Sequence, residues 1–558
     1  MGKKRKIKVV LLGLLFGMLF SCGTSKSLHH KPNLEGYNAT IPVVKKQPNN
    51  VFTTGNDFLL KNKQDLWELY VEGDPLERSL AMGSLTDSLL KKQERIFFTK
   101  INDIVPSNFK QRLLRGFLKW YNRKMYLNVP EEYQTEIYGI SEYSSHDFDY
   151  IAPKYLRSLY LHGAHDIGHA LQDLALVGCS SFAAWDEKSE DGGLILGRNF
   201  DFYAGDEFAK DKIVAFVKPE KGYPFIMVTW AGMVGVCSGM NNEGLTVTIN
   251  AAKSKIPLVA KTPVSILTRE ILQYARNIDQ AIAIAKKRKV FVSESIMIGS
   301  AADKKAILIE VSPNNFGVYD VPNSNQLICS NHFQSDNLKN EKRNQEQIAN
   351  SHSKYRFDKM TALFDANPKL NPQIAADILR NREGLHNEVI GFGNEKALNQ
   401  LLAHHGIIFK PEQRLVWVSA NPYQLGEFVC YDLKAIFDNP NFKGNTTSIQ
   451  KQELNIAKDS FLESDSYKNY EKFRIEDRKM DAVLENKSNL DSDFRKNYQS
   501  LNPDYWVVYY KIGLYFYQKK NYQEAKVQFD KALTKEITTL PSRHEIERKL
   551  KKINRKLQ

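Results

Sequence analysis

Gly178-Cys179, followed by Ser180-Ser181-Phe182 and then by Arg198-Asn199-Phe200-Asp201, is the stretch of this chain whose residue types and spacing most directly suggest chemistry. If the Gly178–Cys179 bond is cut, Cys179 becomes a terminal nucleophile. A terminal cysteine carries a thiol and an α-amine on one residue, with ordinary pKa values of about 8.5 and about 7.7–8.0. The amine then serves as general base for its own thiol near neutral pH, and the thiolate attacks an acyl carbon.

Further blocks follow in order: "GMNNEGLTVTIN" ending at Asn250, "CSNHF" carrying Asn331, and "SKYRF" carrying Arg356. Together with "GCSSFAAW" and "GRNFDF", they resemble the N-terminal-nucleophile (Ntn) hydrolases that include the acyl-coenzyme A:6-aminopenicillanic acid acyltransferases, the peptidase C45 family. Choloylglycine hydrolases and penicillin V acylases are its more distant relatives. The resemblance spans about residues 73 to 435. It implies an α+β fold of four layers, αββα, and a chain that cuts itself between Gly178 and Cys179.

The resemblance also implies a role for each matching residue. Cys179 is the nucleophile and forms a thioester acyl-enzyme. Arg198 stands beside it as a fixed cation that lowers the thiol pKa and orients the acyl carbonyl. Asp201 holds the terminal amine. Asn250 and Asn331 supply donors to the oxyanion, and Arg356 supports the site. Asn199 reads as a turn residue and His332 as a structural hydrogen-bonding group. No cofactor and no metal is implied. Ser180 and Ser181 lack the glycine-flanked elbow of a serine lipase.

The N-terminus points to a compartment. Lys3, Lys4, Arg5, Lys6 and Lys8 precede the apolar run Val9 to Phe20, and Leu19-Phe20-Ser21-Cys22 closes it. The run is short for a permanent span, and the pattern resembles a bacterial lipoprotein signal ending in a lipobox. Cys22 would then be the lipidated first residue, holding the protein on a membrane surface. The expected location is the cell envelope, facing the periplasm. Gly23 after Cys22, where aspartate would favour inner-membrane retention, points to the outer membrane.

At 558 residues, with 42% apolar and 25% charged residues, the chain is long enough for more than one packed domain. The formal charge of +14 and pI near 9.1 reside partly in the leader and partly in Lys549, Lys551, Lys552, Arg555 and Lys556. No nucleic-acid motif accompanies them, so nucleic acid is not an expected partner. Cys237, Cys329 and Cys430 sit in apolar contexts and read as buried thiols.

Residues 1–22 form the leader, 23–55 a polar tether, 56–178 a helical pro-region or light chain, 179–440 the catalytic domain, and 441–558 a polar helical tail. After Cys179, short apolar runs broken by Gly, Pro and Asn read as strands. "VSILTREILQYARNIDQAIAIAKKR" and "FDKMTALFD" read as helices. In the tail, Gly513, Ala525, Phe529 and Ala532 fit one tetratricopeptide-like repeat. One repeat cannot bury its own face, so it either follows a degenerate repeat or packs on the catalytic body. It is read as a partner-binding module or a structural cap.

His162, His165 and His169, with Asp166 among them, lie just before the junction at helical spacing. Zinc binding is one reading of that spacing, and packing against the precursor junction is the preferred one. The expected activity is a self-cleaving amidohydrolase or acyltransferase acting on a small or lipid-like N-acyl amide. The alternative is a catalytically idle Ntn-fold scaffold whose tail recruits a partner protein at the membrane.

Overall fold

The computed structural model describes residues 24–163, 178–253, 259–439 and 447–558. Cys22 and its leader, and His165, Asp166 and His169, lie outside the described residues. No helix among the described residues is long and apolar enough to cross a membrane.

Two sheets face each other in a mixed α/β body. The strands in chain order are β1 Lys45–Gln47, β2 Val51–Thr54, β3 Asp57–Lys61, β4 Trp67–Gly73, β5 Ser180–Ala184, β6 Ile195–Phe200, β7 Ile213–Pro219, β8 Phe225–Thr229 and β9 Ser238–Asn241. They continue as β10 Leu245–Ala251, β11 Glu294–Ser300, β12 Lys305–Val311, β13 Phe316–Tyr319, β14 Gln326–Cys329, β15 His405–Lys410, β16 Leu415–Ser419 and β17 Phe428–Asp432. The larger sheet has eleven strands, ordered β1-β2-β3-β4-β7-β8-β9-β10-β11-β12-β13, and the smaller has six, ordered β14-β5-β6-β15-β16-β17. Neighbours are antiparallel except β4 and β7, which pair in parallel from Trp67 opposite Ile213 to Gly73 opposite Pro219.

Side-chain alternation along each strand sorts apolar residues into different cores. Phe58, Leu60, Tyr70, Val214 and Phe216 of the large sheet meet Ala183, Leu196, Ile407, Phe409 and Val418 of the small one in the core between the sheets. The opposite face of the large sheet, with Leu69, Val71, Val247 and Ile249, packs against the helices Pro75–Leu85, Glu131–Ser141, Lys154–His162 and Val264–Tyr274. The outer face of the small sheet packs on Met360, Phe364 and Leu379 of the helices Ser353–Ala366 and Pro372–Leu379. Helices therefore cover both outer faces.

The expected tether and the expected helical pro-region both need correction. Residues 45–54 form the strands β1 and β2, and Val51 is buried. The pro-region opens with β3 and β4 before its helices begin. In "DFLLK" and "WELYVEG" both faces are covered, so no period-2 alternation marks them as strands. The first helix then starts cleanly: Pro75 occupies its first turn, and the Asp74 side chain accepts from the N–H groups of Leu76 and Glu77.

Residues from both sides of the Gly178–Cys179 junction thus share one sheet. A buried ion network ties them further: Arg78 Nη2 bonds Glu132 at 2.7 Å and also contacts Glu136, and Glu136 accepts from Arg269 Nη2 at 3.0 Å. Arg78 and Glu136 precede the junction and Arg269 follows it.

The expected boundary at 440/441 also shifts. Residues 447–456 run along the small sheet's edge, with Lys451 N–H bonded to Cys430 O at 2.8 Å and an isolated bridge between Phe428 and Ile456. They cover an edge strand and belong to the two-sheet body. The helical tail proper is formed by Asp465–Asn486, Ser492–Leu501, Trp506–Gln518, Tyr522–Leu533 and Leu540–Leu557. Gly513 lets one helix approach the next, because a Cβ there would lie 2.7 Å from the Phe529 ring. Ala525, Phe529 and Ala532 are fully buried.

The tail packs on the body. Leu401 and Leu425 of the body are part of the tail's own core. Asn502 clamps the Phe392 backbone, donating to its carbonyl at 2.8 Å and accepting from its N–H at 3.1 Å. Gly391, at φ +82°, lies so close to Tyr505 that a Cβ would stand 2.4 Å from backbone atoms of that residue.

Candidate functional site

Strand periodicity brings the site residues to one place. On β6, Ile195 and Asn199 face the outer helices while Leu196 and Arg198 face the other sheet. On β5, Phe182 and Ala184 face outward, whereas Ser181 faces inward opposite Arg198. Cys179, one step before β5, falls on the same inward side as Ser181 and is buried. Arg198 Nη2 lies 3.6 Å from Cys179 Sγ.

Arg198 is fully buried and held on several sides. It donates to Cys237 O at 3.2 Å, to Ser238 Oγ and to Ile249 O, and stacks over the Phe200 ring at 4.3 Å. Ser238 in turn meets His405 Nε2 at 2.9 Å, and His405 Nδ1 meets His404 Nδ1 at 2.9 Å. Burial pushes both imidazoles well below the ordinary range, so they remain neutral.

Arg356, at the first turn of its helix, reaches the junction itself. Its Nη1 donates to Cys179 O at 2.6 Å and to Ser180 Oγ at 2.8 Å, and its Nη2 donates to Asn331 Oδ1 at 2.6 Å. Asn331 Nδ2 donates to Ala251 O at 2.8 Å. Asn250 accepts from Ser181 Oγ at 2.7 Å and donates to Cys329 O at 3.2 Å, joining the two sheets. In the uncut chain Asn250 and Asn331 therefore both direct amide hydrogens to backbone carbonyls.

Asp201 is fully buried, and its main-chain carbonyl accepts from Gly178 N–H at 3.3 Å. Its Oδ1 accepts a long bond of 3.5 Å from Gln424, and its Oδ2 has no hydrogen-bond partner among the described residues. Burial raises its pKa to about 7, against the opposing pull of Arg356 and Arg198. The Cys179 thiol is also raised, first by burial; Arg198 opposes this, while Asp201 and Glu294 add to it. The arginine expected to lower the thiol pKa is in place, but in the uncut chain desolvation outweighs it.

One expectation about an individual residue changes. Asn199 is a strand residue, not a turn residue: its Nδ2 donates to Leu379 O at 2.8 Å and to Leu398 O at 3.0 Å. His332 bonds Ser353 Oγ at 2.8 Å, and burial lowers its pKa to about 4. His162 uses both ring nitrogens within the protein, Nδ1 toward Ser158 O at 2.8 Å and Nε2 toward Val234 N at 2.9 Å, leaving neither for a metal. Cys179, Cys237, Cys329 and Cys430 are all buried.

One residue of the site was not legible in the sequence. Gln400 Nε2 donates to Gly178 O at 3.0 Å, across 222 residues. It lies in "ALNQLL", which carries no motif, and only folding brings it to the junction.

Residues 185–421 match the family model for acyl-coenzyme A:6-aminopenicillanic acid acyl-transferase. The match includes Arg198, Asp201, Asn250, Asn331 and Arg356, and begins just after Cys179. Among curated proteins, the chain is similar to an uncharacterized protein of Archaeoglobus fulgidus, at 26% identity over 266 residues, 45% of this chain and 44% of that protein. It is also similar to protein dcd1B of Dictyostelium discoideum, at 23% identity over 301 residues, 50% of this chain and 57% of that protein. The chain spans about half the length of these curated relatives.

The chain also shows partial similarity to three solved structures. The Caenorhabditis elegans ortholog of N-acylethanolamine-hydrolyzing acid amidase matches at 17% identity and TM-score 0.32, over 42% of this chain and 93% of that one. The conjugated bile acid hydrolase of Clostridium perfringens, in a mutant form, matches at 13% and 0.32, over 48% and 94%. Penicillin V acylase of Agrobacterium tumefaciens matches at 10% and 0.31, over 48% and 90%.

Proposed function

We propose that this chain cuts itself between Gly178 and Cys179 and then acts as an N-terminal-cysteine amidohydrolase or acyltransferase on an N-acyl amide. The observation that carries the reading is the Asp201 carboxylate, buried at the junction with one oxygen lacking a hydrogen-bond partner among the described residues. A buried carboxylate is costly without a partner. The α-ammonium of a freed Cys179 is a cation that would exist only after the cut, and it suits an acceptor-only group.

In this reading the Cys179 thiolate adds to the amide carbonyl of the substrate. The α-amine takes the thiol proton and passes it to the leaving nitrogen, giving a thioester and a free amine. Water then releases the acid, or an acceptor amine takes the acyl group. Arg198 steadies the thiolate, Asp201 the ammonium, and Arg356 fixes the Cys179 carbonyl. Asn250 and Asn331 are assigned to the oxyanion.

The wider setting is also proposed. A lipid on Cys22 would place the enzyme on the cell-envelope membrane, favouring lipid-like N-acyl amides as substrates. The helical tail is read first as a cap, given its contacts with Phe392 and Leu401, and second as a surface for a protein partner.

The deciding experiment is intact mass and N-terminal sequencing of the wild type beside Cys179→Ala, followed by a screen of N-acyl amides. Two co-purifying fragments, the larger beginning at Cys179, and an uncut variant are expected. An uncut, inactive wild type would sink the proposal.

A further inference from the structure

The carbonyl that must be attacked for self-cleavage is that of Gly178, and a side-chain N–H already contacts it. Gln400 Nε2 donates to Gly178 O at 3.0 Å, and Gln400 is 2% exposed. A carbonyl oxygen only accepts, so the amide must turn its N–H to it. The fit is tight: a Cβ on residue 178 would lie 2.2 Å from Gln400 Nε2. A Cβ before the nucleophile would therefore displace this amide.

The segment that carries Gln400 is anchored on both sides. Before it, Leu398 O accepts from Asn199, the neighbour of Arg198 on β6, at 3.0 Å, and the Asn399 N–H bonds Asn381 O at 2.8 Å. After it, Leu401 adopts φ +52°, is fully buried in the core of the helical tail, and its carbonyl accepts from Tyr470 OH at 3.4 Å. Two independent parts of the fold thus hold Gln400 against the junction. On the other side, Arg356 grips the Cys179 carbonyl at 2.6 Å. The peptide to be cut is clamped at the oxygens of both residues that it joins.

From this geometry we infer that Gln400 is the oxyanion donor for self-cleavage, a catalytic residue of maturation. The inference rests on the self-cleaving reading above. In the step, Cys179 Sγ bonds to the Gly178 carbonyl carbon and the carbonyl oxygen becomes an oxyanion held by the Gln400 N–H. The C–N bond to Cys179 then breaks, and the thiol proton ends on the departing α-nitrogen. Water adds to the resulting thioester, the C–S bond breaks, Gly178 keeps a carboxylate, and Sγ is reprotonated. A preorganised neutral donor in a buried site stabilises such an oxyanion strongly, and losing one typically costs about 10²–10³ in rate.

The test is a time course of fragment appearance after cell-free synthesis of the full chain, for wild type, Gln400→Ala, Gln400→Glu and Gly178→Ala, with melting curves on each. Gln400→Glu keeps the side-chain volume but removes the N–H, so it reads the donor even where the alanine cavity weakens the fold. The half-time of cleavage is expected to lengthen about 10²–10³-fold in both Gln400 variants, and to lengthen in Gly178→Ala because the methyl displaces the amide. Hydroxylamine, which cleaves a standing thioester, should not restore the rate, since the attack itself is slowed.

A folded Gln400 variant that cuts at the wild-type rate overturns the inference and leaves the self-cleaving reading intact. Rescue by hydroxylamine overturns it too, placing Gln400 in thioester hydrolysis instead. A wild-type chain that does not cut removes both.

Discussion

Arg356 and Cys179 are 177 residues apart in sequence and joined by a 2.6 Å hydrogen bond from Nη1 to the cysteine carbonyl. The same guanidinium holds Ser180 Oγ and Asn331 Oδ1, so one planar fork sets the positions of the nucleophile and a proposed oxyanion donor. Lysine offers no such fork. Arg356→Lys is expected to lower turnover of an N-acyl amide at least about 10-fold, because small misplacements of reacting groups are costly. Arg356→Ala is expected to destabilise the fold by at least about 2 kcal/mol, since buried acceptors lose their donor. Steady-state kinetics and denaturant melts check both.

The thiol at Cys179 should change reactivity on maturation. In the uncut chain burial holds its pKa up, and a neutral thiol alkylates slowly. After the cut, the new ammonium beside it favours the thiolate. Iodoacetamide should therefore label Cys179 in the cut protein at least about 10-fold faster than in an uncut Gln400→Glu chain. Cys430, pushed up to about 12, and Cys329, raised well above its ordinary value, should label slowly in both. Peptide mapping by mass spectrometry reads all of these sites. Equal labelling of Cys179 and Cys430 in the cut protein would remove the activated-thiol assignment.

Asp201 should leave a signature in stability against pH. Its folded pKa is raised to about 7 by burial, above the ordinary 3.8. Between those values the folded state binds the extra proton, so this group's contribution to stability is greatest at low pH and is lost as pH rises toward 7. The limiting slope is about 1.4 kcal/mol per pH unit. Asp57, also raised to about 7, adds to the same trend, while His162 and His332, lowered to about 4, oppose it between about 4 and 6.5. The difference between uncut Cys179→Ala and Cys179→Ala/Asp201→Asn isolates Asp201, and its slope should be negative from pH 4.5 to 6.5. A flat difference would contradict the raised pKa of this buried carboxyl group.

The docking of the tail has a sensitive point at Gly391. Gly391 needs φ +82°, and a Cβ there would meet the Tyr505 backbone at 2.4 Å. Gly391→Ala should therefore loosen the tail by about 1–3 kcal/mol and open it to limited proteolysis. Because Leu401 beside Gln400 lies in the tail's core, the same variant should also slow fragment appearance. Unchanged protease sensitivity would mean that the tail is held elsewhere.

The sequence by itself determined the nucleophile candidate and the residue kinds around it. Cys179 after glycine, Arg198 and Asp201 at fixed offsets, and Asn250, Asn331 and Arg356 in ordered blocks were all legible as types in a pattern. The strands after the junction were legible too, as short apolar runs broken by turn residues. Alternation along a strand even implies which neighbours share a face, as Leu196 and Arg198 do.

Only the tertiary structure decided which of these groups touch. Residues distant in sequence, such as Gln400 and Gly178, meet because β5 and β15, which they precede, flank β6 in the small sheet, and local periodicity carries no record of strand order. The strands β3 and β4 escaped the sequence reading because both their faces are covered, which removes the alternation that marks a strand. Asn199 looked like a turn former until the fold placed its amide against two backbone carbonyls, of Leu379 at a helix end and of Leu398 in a loop. Burial decided the electrostatics: the same Arg198 that lowers a thiol's pKa in water is outweighed once Cys179 is desolvated.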